Sequence, residues 1–157
     1  MKRLLITLVI LFSGFGLNAN AQSFSVGLNL GLPSLLEARV AYETPEFGIR
    51  LYYGAPFILP SVGVDAYAIV SNPLGSWRFG AGLGTLSYTT GNYNDRLWLA
   101  LRGLVGFKFD LGSNLGLALE WRPGIPFRLE SGTGSLGVTE WLLILALSFG
   151  VSLEFHL

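Results

Sequence analysis

The sequence predicts an all-β protein: a closed, up-and-down antiparallel transmembrane β-barrel of about eight strands. Three observations predict it. Apolar and polar residues alternate with period two through most of the chain, the periodicity of strands with two unlike faces. Gly, Pro, Asn and Asp cluster between the alternating stretches, as turns require. Charged residues make up only 13% of the chain, about half the ~25% of a soluble domain. So few charges cannot coat a water-exposed surface.

The chain opens with Lys2 and Arg3, an apolar stretch over residues 4–17, and the small-residue sequence Ala19-Asn20-Ala21 before Gln22. This is the layout of a secretory signal peptide, so residues 1–21 are expected to be cleaved and 22–157 to form one barrel domain. The apolar stretch is shorter than the ~20 residues of a membrane-spanning helix. Without Lys2 and Arg3, eight basic and ten acidic groups remain. A net charge of −2 offers no electrostatic footprint for nucleic acid. Cysteine is absent, which excludes disulfides, thiolate metal sites and lipid attachment to an N-terminal Cys.

After Gln22 the apolar set runs in eight segments. The first has Phe24, Val26, Leu28 and Leu30, and the second Leu36, Ala38, Val40 and Tyr42. Thr44-Pro45-Glu46 turns the chain into Phe47, Ile49, Leu51 and Tyr53. Beyond Pro56 and Pro60 come Val62, Val64, Ala66, Ala68 and Val70, then a turn over residues 71–75. The fifth segment carries Trp77, Phe79, Ala81, Leu83 and Thr85. After the polar residues 89–95, the sixth carries Leu97, Leu99, Leu101, Val105, Phe107 and Phe109. A turn over 110–114 leads to Leu115, Leu117, Leu119 and Trp121, and a Gly/Pro-rich loop runs on to about Thr139. The last segment shows Trp141, Leu143, Leu145, Leu147, Phe149, Val151, Leu153 and Phe155 on one face.

The opposite face decides which side is the interior. It carries Glu37, Arg39, Arg50, Asp65, Arg78, Arg102, Glu120 and Arg122 among many glycines and serines. A soluble barrel would show water a face rich in Lys and Glu, and glycine would weaken exposed strands. A small, Arg-rich face of mixed sign instead suits a closed lumen in which guanidinium groups fork onto carboxylates. Arg39, Arg50, Arg78 and Arg102 are expected to pair there with Glu37, Asp65 and Glu120. Eight strands enclose a lumen that side chains just fill. Gly80, Gly82 and Gly84 are read as leaving room for bulky neighbours such as Arg39, Arg102 and Trp98. A sharper reading makes Tyr52, Trp98, Leu142 and Ile144 the walls of a small ligand cavity.

Aromatic residues gather near segment ends: Tyr42, Phe47, Trp77, Phe107, Phe109 and Phe155 toward one rim, Tyr53, Trp121 and Trp141 toward the other. Two aromatic girdles mark membrane interfaces. The C-terminal stretch ends on Ser148, Gly150, Leu153 and Phe155 at fixed spacing. It resembles the terminal-strand assembly signal of bacterial outer-membrane barrels, with His156 and Leu157 as an extension past the usual final aromatic. By this pattern the mature chain resembles the small OmpA/OmpX-type barrels. The resemblance implies the outer membrane of a bacterium with a two-membrane envelope, contact with outer-membrane lipid, the outer-membrane assembly machinery as partner, and a monomer.

Enzymatic chemistry is not expected. The single histidine, His156, adjoins the last residue, is read as lying beyond the final strand, and has no triad partner placed by sequence. One His without Cys does not make a transition-metal site, and no cofactor is expected. Two function classes remain. One is a filled barrel with a structural or surface-interaction role; the other binds or passes a small hydrophobic molecule across the outer membrane.

Overall fold

The computed structural model describes residues 23–32, 34–54, 61–88, 96–128 and 148–157. Nine strands form along them: β1 (Ser23–Gly31), β2 (Leu35–Glu43), β3 (Phe47–Gly54), β4 (Ser61–Asn72), β5 (Gly75–Tyr88), β6 (Arg96–Asp110), β7 (Leu115–Trp121), β8 (Gly124–Arg128) and β9 (Phe149–His156). Neighbours pair antiparallel in the order β1-β2-β3-β4-β5-β6-β7-β9, and β9 pairs back onto β1. The sheet is therefore a closed eight-stave barrel without a free edge.

Strands β7 and β8 make one stave. Both pair with β6, and the register passes from Val105↔Trp121 to Arg102↔Gly124 without a bulge. The ladder is interrupted at Arg122 and Pro123; Pro123 has no N–H to donate, while its carbonyl accepts from the Gly103 N–H at 2.7 Å. Where the sequence predicts a loop directly after Trp121, the strand instead runs on to Arg128, because a proline in a strand removes one bond without ending the strand. Trp121 consequently sits mid-stave rather than at a rim.

The hairpins at the end holding Ser23 and Leu157 are tight. The Thr44 hydroxyl donates to the Phe47 carbonyl and accepts from the Phe47 N–H, closing the β2–β3 turn. The Asn72 side chain caps the β4–β5 turn by accepting from the Leu74 N–H at 2.9 Å, and Gly75 takes the φ of 149° that follows, a conformation suited to glycine. At the other end Leu35 opens β2 in the left-handed region, at φ 57°.

Tracing partners round the ring gives the stagger. Phe149 faces Trp121, Val105, Phe79, Ala68 and Phe47 in turn. From Phe47 the hydrogen bond with Thr44 leads toward the Ser23 end of β1, yet Phe149 itself accepts from Leu32 beyond the opposite end of β1. The ladder climbs about ten residues per turn, which tilts the staves by roughly 40° and leaves a lumen only side chains wide.

The polarity is the reverse of a water-soluble protein. Among the described residues, six buried side chains are apolar and eighteen are polar or charged. The outer wall exposes Phe24, Leu28, Val40, Leu51, Val62, Trp77, Phe79, Leu101, Leu119, Phe149 and Phe155, with many more of the same kind. Aromatic rings meet on that wall: Phe24 with Tyr42 at 5.1 Å, Trp77 edge-on to Phe107 at 4.9 Å, Trp121 stacked on Phe149 at 6.0 Å.

Candidate functional site

The interior is a buried network of charges, placed by alternation along each stave. In β2 the inward positions are Glu37, Arg39, Ala41 and Glu43; in β3, Gly48, Arg50, Tyr52 and Gly54; in β4, Asp65 and Tyr67. Arg78 from β5, Arg102 and Lys108 from β6, Glu120 from β7, Arg122 beside it and Glu154 from β9 complete the set, all buried.

Glu120 lies at its centre. One carboxylate oxygen accepts from Arg50 Nη1 at 2.6 Å and the other from Arg39 Nη1 at 2.7 Å, with Arg78 Nη1 at 3.6 Å. Arg50 also forks onto Asp65 through Nε and Nη2, at 3.3 and 2.7 Å. Those two residues are direct register partners, so the pair follows from the hairpin alone. The contacts to Glu120 cross the lumen and depend on closure.

Toward the tight-turn end, Arg78 holds Glu154 with both Nη atoms at 2.7 Å and reaches Glu43 at 2.6 Å. Tyr67 donates its hydroxyl to the same Glu43 oxygen at 2.7 Å. Its ring packs beneath the Arg50 and Arg78 guanidinium groups, 5.5 and 5.3 Å from the centroid, a cation–π arrangement. Lys108 lies 3.6 Å from Glu43 and 3.7 Å from Asp110. Below them a polar recess of about 250 Å³, lined by Glu43, Thr44, Ser71, Ser76, Lys108 and Asp110 among others, opens at the turns.

Toward the opposite end the pairing thins. Glu37 takes Arg39 at 3.2 Å and lies 2.8 Å from Arg122 Nη2, but none of the Arg122 N–H groups has hydrogen-bond geometry. Arg102 has no ion pair among the described residues; its guanidinium lies 4.2 Å over the Tyr52 ring. The pairing anticipated for Arg102 with Glu37, Asp65 or Glu120 is thus replaced by stacking, because those carboxylates are already taken by Arg39, Arg50 and Arg122.

The glycines serve two tyrosines. Gly63 and Gly84 follow Tyr52 across consecutive ladders, and a Cβ on either would collide with the Tyr52 hydroxyl. Gly48 and Gly80 flank Tyr67 in the same way, and a Cβ on Gly82 would meet Asp65. The room expected for Arg39 and Trp98 is occupied by Tyr67, Asp65 and Tyr52, with Arg102 also touching the Gly84 position. Of the candidate cavity walls, Tyr52 is buried under Arg102; the Trp98 side chain, Leu142 and Ile144 lie outside the described residues.

Sequence reasoning missed Glu43, Tyr67, Lys108 and Glu154 as network members, although each prolongs an alternation already recognised, by one step past Ala41, Asp65, Gly106 and Ser152. The C-terminal positions divide between faces: Ser148 and Gly150 point inward, Gly150 against Asn29, while Leu153 and Phe155 are exposed on the wall. His156 does not lie beyond the last strand. It belongs to β9, faces Ser25 across β1, and its N–H donates to the Asn114 carbonyl at 2.9 Å. Among the described residues no group of His, Cys, Asp and Glu has the arrangement of a metal site.

Compared with known sequences, the chain matches no protein-family model and no curated protein.

Proposed function

We propose that the protein is an integral outer-membrane barrel of the small OmpA/OmpX-like kind, with a lumen closed by its own side chains and a structural or surface-interaction role. One observation carries the reading: a closed barrel whose charges are inside and whose wall is apolar all the way round. Contiguous apolar surface on that scale is foreign to soluble monomers, and a closed barrel is one of two structures whose backbone is satisfied in lipid. The aromatic rings and the signal-like N-terminus support the same placement. Arg39, Arg50, Arg78 and Glu120 cross the lumen at contact distance, so a hydrated solute finds no continuous path.

Two measurements test this. The mature protein is expected to begin at Gln22 and to fractionate with outer membrane; recovery as a soluble periplasmic species refutes it. In a planar bilayer the wild type is expected to stay quiet, and the Arg39→Ala, Arg102→Ala double variant to leak. Steady porin-like conductance from the wild type would replace the plugged anchor by a transport role.

A further inference from the structure

Unpartnered buried donors gather most densely at one place in the lumen, although Arg39 Nε, Arg78 Nε and the acceptors Asn29 Oδ1 and Glu37 Oε1 also lack partners among the described residues. Arg102 leaves Nε and Nη2 without an acceptor, Arg122 leaves Nε, Nη1 and Nη2, and Tyr52 leaves its hydroxyl. All three residues are at least nine-tenths buried, with relative exposures of 5%, 1% and 2%. They form one group: Arg102 and Arg122 lie 4.2 and 5.8 Å from the Tyr52 ring centroid. The Tyr52 hydroxyl and Arg102 Nη2 also converge on a single point, the inward face of Gly84, where a Cβ would touch both.

Buried donors without acceptors are rare in native proteins, and a buried cation without a counter-charge is costly. Water would satisfy the donors but not the charge. Among the described residues six buried cations share the lumen, Arg39, Arg50, Arg78, Arg102, Lys108 and Arg122, and all but Arg102 lie within ion-pair distance of a carboxylate. The charge without a described counter-ion is therefore that of Arg102, beside Tyr52 and Arg122, while Arg122 itself lies 2.8 Å from Glu37.

We propose that Arg102, Arg122 and Tyr52 form a binding site for one small phosphate-like oxyanion that enters the lumen from solution. Guanidinium groups present forked donors matched to two oxygens of such an anion, and the phenol adds a third donor. The position inside the barrel, away from the apolar wall, selects a dissolved anion over a lipid headgroup. The inference does not depend on where the barrel resides, because it concerns the lumen of the folded chain.

The test uses the full mature chain folded in a maltoside detergent free of phosphate, with folding verified by the mobility of unheated samples on gels. Inorganic phosphate is titrated against sodium chloride of matched ionic strength, and the unfolding midpoint is read. A ligand of the native state raises the midpoint with saturation. The rise is expected in the wild type, shifted to about tenfold higher phosphate in Tyr52→Phe, as loss of one charge-assisted hydrogen bond implies, and absent in Arg102→Gln. Phosphate also stabilises proteins generally by exclusion from their surface; an equal rise in all three proteins would mean that effect alone and overturn the site. No rise in the wild type overturns it as well. A rise produced by lysophosphatidylglycerol micelles but not by inorganic phosphate would assign the anion to a lipid and overturn entry from solution.

Discussion

The two ends of the lumen treat arginine differently. Around Arg78 each Nη atom meets a carboxylate at 2.6–2.7 Å, and Tyr67 ties the same Glu43 of β2 to β4, two strands away. Around Tyr52, Arg102 stacks on a ring and Arg122 misses hydrogen-bond geometry with the one carboxylate beside it. Both tyrosines occupy glycine-flanked inward positions, and both lie under two guanidinium groups. What differs is the supply of carboxylates. The contrast teaches that burial of arginine in this barrel is held by cross-lumen acids at one end and by aromatic stacking at the other.

The largest effect should come from removing the central acid. Glu120→Ala strands Arg39 and Arg50 with one partner each, and breaking such buried pairs costs about 3–5 kcal/mol. Arg102→Gln removes a cation that has no ion pair among the described residues and should cost less than about 1 kcal/mol. Chemical unfolding in phosphate-free detergent measures both; equal losses would erase the distinction between the two ends. Glu130→Ala, outside the described residues, is also expected to fall well below Glu120→Ala.

Next in size is the steric comparison. Gly84→Ala places a methyl group against Tyr52 and Arg102, whereas a Cβ at Gly112 has nothing within 4 Å. The first should destabilise by about 1–3 kcal/mol, the range of overpacked interiors, and the second should be nearly silent. If Gly84→Ala were neutral and Tyr52→Phe, Gly84→Ala no better, the close approach of the tyrosine would be discounted.

Hydroxyl deletions sharpen the contrast at a smaller scale. Tyr67→Phe loses a 2.7 Å bond to Glu43 and should cost about 1.5–3 kcal/mol, as bonds to charged groups do. Without phosphate, Tyr52→Phe should change stability by less than about 0.5 kcal/mol, since its hydroxyl has no acceptor. A larger loss in Tyr52→Phe than in Tyr67→Phe would reverse the assignment of the two ends.

The last comparison concerns the terminus. Deleting His156 and Leu157 removes the bonds from their N–H groups to Asn114 and Phe24, and each is worth about 1 kcal/mol. Phe155→Ala and Gly150→Asp should lower the folded yield in membranes more than this deletion does. A reversed order would count against the reading of Ser148, Gly150, Leu153 and Phe155 as a terminal assembly signal.

The sequence by itself determined the alternation, the number of staves and the three tight turns, because period two and turn chemistry are local properties. It also determined which residues share a face, and so that Arg50 and Asp65 both point inward; the register that pairs them belongs to the folded hairpin. The continuation of the β7 stave past Pro123 was not legible, since a proline reads as a break and only the neighbouring strand shows that the register survives it. Partners across the lumen were not legible either. Arg78 meets Glu154, and Arg39 and Arg50 meet Glu120, through the stagger with which the barrel closes. Closure is a property of all eight staves together: one residue of slip in any ladder turns that stave's charges to the other face. That is why acids could be predicted to lie inside, while their scarcity around Arg102 and Arg122 was decided only by the tertiary structure.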